Sequence, residues 1–222
     1  MPIEIKKASD LALLHGVKII VYGEAGAGKT TLIKSLVDPI VISAENGLLS
    51  IRDADVDVIE VKTMADFNEA YQFVTSPDSK KYQTVVLDSC SEIAEKILAY
   101  EKGQTKDPRQ AYGAVIEQVS ALVKAFRDLS MKHVVLICKA ETYAPDGAVP
   151  IIRPSMPGSK LANEMPYLVD EVLRLHVDYD GSRWLQTQPD GTAIAKDRSG
   201  SLDNKEPADN GLQHIINKIL GI

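Results

Sequence analysis

The eight residues Gly23-Glu24-Ala25-Gly26-Ala27-Gly28-Lys29-Thr30 constrain this chain more than any other feature. They satisfy G-x-x-x-x-G-K-[ST], a pattern whose chemistry requires a strand before it and a helix after it. Residues 17–22, Val-Lys-Ile-Ile-Val-Tyr, form an apolar, β-branched run of buried-strand type. Residues 31–37, Thr-Leu-Ile-Lys-Ser-Leu-Val, read as the helix. Glycines let successive backbone N–H groups turn inward around a phosphate, and a helix N-terminus adds the positive end of its dipole. In such a loop, residues 23–31 (through Thr31) cradle nucleotide phosphates. Lys29 would reach the β- and γ-phosphates, and the Thr30 hydroxyl would bind Mg²⁺.

The rest of the chain alternates in the same sense. Residues 40–43, 58–61, 84–87 and 134–138 are short apolar runs of strand type. Between them lie helical patterns. Thr63 with Asp66 offers an N-cap ahead of Phe67, Ala70, Tyr71 and Val74. A second helix runs through Ile93, Ile97 and Leu98. After a polar loop over 103–110, residues 114–131 read as a long amphipathic helix. Buried strands alternating with helices predict an α/β fold with a mainly parallel central sheet. Beyond Lys139 the pattern changes. Four prolines punctuate 145–157, with a short strand expected at 151–152. Alternating runs at 171–177 and 184–188, with turns at Asp180-Gly181 and Pro189-Asp190-Gly191, predict an antiparallel C-terminal meander. A closing helix spans about 212–220. No linker divides the chain, so one domain over 1–222 is expected.

Two carboxylates stand where phosphoryl chemistry needs them. Asp88 ends the run Val85-Val86-Leu87 and is expected in the Mg²⁺ shell; its other reading is a helix cap. Glu45 follows the strand at 40–43. It is either a base that activates water for attack on the γ-phosphate or a solvated loop glutamate. Other P-loop classes lack their signatures. Asp88-Ser89-Cys90-Ser91 has no glycine for a GTPase D-x-x-G, Asn204-Lys205-Glu206-Pro207 lacks the final Asp of N-K-x-D, and Glu24-Ala25 lacks the extra lysine of partition ATPases.

With 222 residues, the net charge of −6 argues against a broad basic face for nucleic acid and leaves open a local basic groove at an oligomer interface. Cys90 and Cys138 lie in or beside apolar runs, without metal-site spacing, and read as reduced buried thiols. No apolar stretch approaches the ~20 residues that span a bilayer. Residues 1–7 lack a signal region. A cytoplasmic location with no membrane partner is therefore expected.

On these motifs the chain resembles the RecA-like branch of P-loop ATPases. The loop with its doubled Thr30-Thr31, Ser43-Ala44-Glu45 and Val85-Val86-Leu87-Asp88-Ser89 are similar to that branch's phosphate loop, catalytic glutamate and metal strand. Ala195-Lys196-Asp197-Arg198 resembles the K-x-R element of ring ATPases such as the DnaB helicases and KaiC, which implies that Lys196 and Arg198 reach a neighbouring subunit's γ-phosphate. More narrowly, Ile5-Lys6-Lys7-Ala8, Tyr112-Gly113 and the late Lys-Asp-Arg resemble phage-encoded AAA-type nucleotide-binding proteins, some of them RecA-like single-strand annealing recombinases. The resemblance implies an ATP- and Mg²⁺-dependent ATPase in phage or prophage DNA recombination or repair, located in the bacterial host cytoplasm. It implies a homo-oligomer, ring or filament, with single-stranded DNA and a single-strand-binding protein as candidate partners. The chain departs from it at Lys139-Ala140-Glu141, where recombinases usually place Asn or Gln. The stretch 141–160, with Tyr143, Arg153 and Lys160, is the candidate DNA-facing region, or else an ordered structural loop or lid. Two further functions stay open: an ATP-switched interaction module with little turnover, and a small-molecule P-loop kinase.

Overall fold

In the computed structural model the described residues are 3, 5–7, 11, 14–45, 47–145 and 147–222. Ala8, which falls within one of the motifs above, lies outside them. Ten strands among the described residues form one sheet. In chain order they are β1 (Lys18–Gly23), β2 (Pro39–Ser43), β3 (Asp57–Glu60), β4 (Thr84–Asp88), β5 (His133–Tyr143), β6 (Ile151–Pro154), β7 (Glu171–Val177), β8 (Arg183–Gln186), β9 (Lys196–Asp197) and β10 (Lys205–Pro207). The main path runs β10-β8-β7-β1-β5-β4-β2-β3. From β7 through to β3 the strands are parallel. The P-loop strand and the Asp88 strand are not neighbours, because β5 lies between them.

Strand alternation sorts the apolar residues onto two faces. Ile20, Tyr22, Ile42, Val85, Leu87 and Leu136 pack on one side. They meet α1 (Met64–Thr75), α2 (Cys90–Gln104), α3 (Pro108–Arg127) and α4 (Ser159–Glu164). Ile19, Val21, Val41, Val86, Val135 and Ile137 face the other side, against Leu32, Ile33 and α5 (Gly211–Leu220). With both faces covered, the parallel strands read as continuous apolar runs rather than alternating ones. Cys90 and Cys138 are free thiols buried in the first cluster. Thr63 and Asp66 form the expected capping box of α1, each accepting the other's backbone N–H.

Four elements differ from the sequence reading. The helix expected at 31–37 is a 3-10 segment, Thr30–Ser35, that ends when Leu36 turns extended. Thr30, Thr31 and Ile33 are β-branched, and Pro39 keeps the residue before it out of the helical region; Asp38 takes φ 43°. The long helix starts at Pro108 rather than 114 and stops at Arg127, because Asp107 caps it by accepting from Arg109 N at 2.9 Å. The stretch after Lys139 holds more strand than expected: β5 runs on to Tyr143 and pairs antiparallel with β6. Finally, β7 pairs parallel with β1, so the run at 171–177 belongs to the parallel sheet. Only β8, β9 and β10 add antiparallel pairs there.

The lower end of β7 carries a titrating device. Glu171 is buried, and its Oε2 has no hydrogen-bond partner among the described residues. Burial, then the charge of Asp197, pushes its carboxyl up to about 7. A carboxyl raised in the folded state is held protonated there while the unfolded chain ionises. Its contribution is therefore fully present below the unfolded value of 4.5 and is lost as pH rises through about 7. Thermal melts of the wild type should fall by several degrees between pH 5 and pH 8 relative to Glu171→Gln, on the order of 2 kcal/mol after solvent screening. Parallel pH profiles of the two proteins would show that Glu171 is not the titrating group.

Candidate functional site

The P-loop leaves the carboxyl end of β1 at Gly23 and opens a cavity of 640 Å³. Gly23 has no room for a side chain, since a Cβ would stand 2.8 Å from Leu175 O on β7. Gly28 sits at φ 98°, a conformation that other residues rarely adopt. Lys29 Nζ donates to Gly23 O and Glu24 O, both at 2.9 Å, so the ammonium folds over its own loop. Burial lowers the Lys29 pKa, against the raising influence of Asp88, Glu45 and Glu24.

The acids come from the strands beyond β5. Ser43 on β2 is level with Asp88 on β4, so both chains end at the same height of the sheet. Thr30 Oγ1 donates to Asp88 Oδ2 at 2.9 Å. Burial pushes the Asp88 carboxyl up; the Thr30 hydrogen bond opposes this and the Glu45 charge adds to it. Glu45 lines the same cavity, and the Ser89 hydroxyl donates a short hydrogen bond to its Oε1. Ser89 also caps α2, accepting from Glu92 N, so one hydroxyl ties Glu45 to a helix start. The Asp88–Ser89 peptide is cis. Lys139, also lining the cavity, is engaged by Glu92 at 2.8 Å and Glu95 at 3.3 Å.

A Mg²⁺ ion fits this donor set. Mg²⁺ bound with a nucleotide takes one or two carboxylates plus phosphate and water oxygens, rather than an all-protein cage. A hydroxyl and a carboxylate already in contact beside a phosphate loop are such donors. No group of three His, Cys, Asp or Glu side chains placed to hold a metal ion by themselves occurs among the described residues.

The structure brings Gly23, Glu24, Gly26, Gly28, Lys29, Thr30, Thr31, Glu45 and Asp88 to one cavity, with Ala25 in its lining and Ala27 buried beneath the loop. It does not bring Lys196 or Arg198 to them. Asp197 pairs with Glu171, which pairs with Ile19 at the start of β1. Arg198 then meets Asp170, whose Oδ2 accepts from Lys18 N. That is the opposite end of the sheet, five residues or roughly 16 Å along β1 from the P-loop. Lys196 Nζ donates to Pro166 O at 2.9 Å and Val169 O at 2.7 Å. Arg198 is 56% exposed, 3.0 Å from Asp170.

The candidate DNA-facing stretch also changes meaning. Arg153 is buried, bonded to Glu141 at 2.7 Å and Asn163 at 3.0 Å, with its guanidinium 3.7 Å from the Tyr143 ring centre. It braces the β5–β6 pair and is not a surface cation; Lys160 is exposed.

One cation at the site was missed in the sequence. Arg183, the first residue of β8, lines the P-loop cavity and lies against Gly28, where a Cβ would stand 3.1 Å from its Nη1. The Asp180-Gly181 turn signalled the hairpin, but not that this turn sits at the P-loop end.

No helix among the described residues is long and apolar enough to cross a membrane. No curated protein matches the chain. A family model for the AAA domain matches residues 15–199, from ahead of β1 to beyond β9 and across the P-loop, Glu45, Asp88 and Arg183; the chain belongs to this AAA family of P-loop ATPase-like proteins.

Proposed function

We propose that the chain is a Mg²⁺-dependent ATPase of RecA-like type. The observation that carries this reading is the meeting of two strand ends. Asp88 and Glu45 follow adjacent strands in register and face Lys29 and Thr30 across one cavity, with Thr30 and Asp88 already in contact. Lys29 exchanges the carbonyls of Gly23 and Glu24 for phosphate oxygens. Thr30 and Asp88 hold the metal, which when bound neutralises charge on the phosphates. Glu45, oriented by Ser89, accepts the proton of the attacking water at its carboxylate.

The resemblance extends this proposal to phage or prophage DNA recombination or repair, with self-assembly and single-stranded DNA as partners. Arg198 can then act only on another copy's phosphates, since its own P-loop is at the far end of the sheet. It is exposed and leaves a single carboxylate to do so, whereas Lys196 would abandon two carbonyls. In this proposal Arg198 reaches across and Lys196 braces the segment that presents it. The kinase reading loses its lid, because Arg153 is buried in the β5–β6 pair.

ATP hydrolysis measured with and without single-stranded DNA, together with particle mass with and without ATP, tests the proposal. Turnover that DNA stimulates, in an ATP-dependent oligomer, is the expected outcome. ATP-dependent assembly with negligible turnover would replace it with the interaction module. Phosphate transfer to a small acceptor would replace it with a kinase.

A further inference from the structure

The P-loop cavity does not end at the P-loop. A second cavity of 330 Å³ adjoins it, and the two share Gly28, Thr31 and Arg183 in their walls. The hairpin explains why Arg183 stands there. β7 runs parallel to β1, so its carboxyl end lies beside the P-loop, and β8 starts where β7 stops, with Arg183 level with Val177. The guanidinium therefore hangs over Gly28, a loop glycine where a side chain would crowd it.

Its lack of partners sets Arg183 apart from the other cations of these walls. Lys29 bonds to two carbonyls, Lys139 to Glu92 and Glu95, and Lys34 to Asp53. The Arg183 guanidinium has no hydrogen bond or ion pair among the described residues. A planar five-donor fork aimed over a phosphate loop, with no protein acceptor, matches phosphate oxygens better than any other common group.

The second cavity has the walls of a nucleoside site. Leu32, Leu175 and Ala208 give it an apolar interior. Asp209 stands at its rim as an exposed carboxylate, also without a hydrogen bond or ion pair among the described residues. Apolar walls with one or two acceptors at the edge suit a flat base and a hydroxylated sugar.

We propose that Arg183 is a phosphate-binding arginine supplied by the same chain, and that the cavity on its far side takes the ribose and base of the nucleotide whose phosphates lie in the P-loop. Asp209 accepts from the nucleoside's hydroxyl or amino donors. The inference rests on the nucleotide-binding reading of the P-loop and adds to it where the nucleoside lies and which cation divides it from the phosphates.

Calorimetric titration of the full chain with Mg²⁺-ATP and with Mg²⁺-tripolyphosphate separates the two halves of the ligand. Arg183→Ala should weaken both by a similar factor, about 10- to 100-fold for a lost charge-assisted contact. Arg183→Lys should recover part of the loss, keeping the charge without the fork. Asp209→Trp, at an exposed position, should weaken ATP at least tenfold and leave tripolyphosphate unchanged. Unchanged binding of both ligands in Arg183→Ala would overturn the arginine's role. Asp209→Trp that binds ATP like the wild type, or loses both ligands equally, would overturn the nucleoside cavity. A wild type that binds neither ligand overturns the P-loop reading itself, and this inference with it.

Discussion

Glu45→Gln binds Mg²⁺-ATP as well as the wild type and hydrolyses it ~10²–10⁴-fold more slowly, the scale of a lost general base. The substitution keeps the shape and an acceptor for the Ser89 hydroxyl, so the orientation of residue 45 survives. What disappears is the basic oxygen. The metal side of the site should not suffer, because the Glu45 charge is one of the influences that hold the Asp88 carboxyl up. Removing it makes Asp88 easier to ionise. Single-turnover hydrolysis measured beside equilibrium binding reads the two effects separately. Unchanged hydrolysis at unchanged affinity would make Glu45 a solvated loop residue and move the base elsewhere.

Lys29→Ala abolishes detectable turnover and weakens ATP binding by on the order of 10²-fold or more, since the ammonium is the loop's direct contact to the outer phosphates. Stability should change by less than about 1 kcal/mol. In the folded chain Lys29 makes two bonds to loop carbonyls, and burial disfavours its charge, so its removal takes little from the fold. Melting curves check both claims together. ATP at 100 times its Kd stabilises a binding-competent protein by about 2.7 kcal/mol. The variant should melt where the ligand-free wild type does, with or without ATP. A variant that melts far lower without ligand would give Lys29 a structural role that its contacts do not suggest.

Much of the site could be read from local chemistry. The glycines, Lys29 and Thr30 are contiguous, and their function depends on a loop only eight residues long. Asp88 ends an apolar run, and Thr63 with Asp66 forms a cap within four residues. Each of these arrangements closes over a short stretch of chain, where residue type and spacing determine geometry. Where a long-range contact outweighs local preference, the pattern misled. Arg153 read as a free cation in a proline-rich loop, yet Glu141, twelve residues away, and the Tyr143 ring bury it. The segment after the P-loop misled for a local reason instead: it has helical periodicity, but its β-branched residues and Pro39 hold it to a 3-10 turn.

By itself the sequence determined a glycine-rich loop at the end of a strand, two acids at or just after strand ends, and alternating elements that make a parallel sheet. It could do so because periodicity and turn chemistry act over a few residues. Strand order was left to the tertiary structure, and strand order assigns the remaining roles. β5 inserts between the P-loop strand and the Asp88 strand, while β7 pairs parallel with β1. That one pairing carries Arg183 up to Gly28 and Arg198 down to Asp170, fifteen residues apart in the chain and at opposite ends of the sheet. Pairing between strands more than a hundred residues apart depends on which apolar faces bury each other, and no local pattern encodes it.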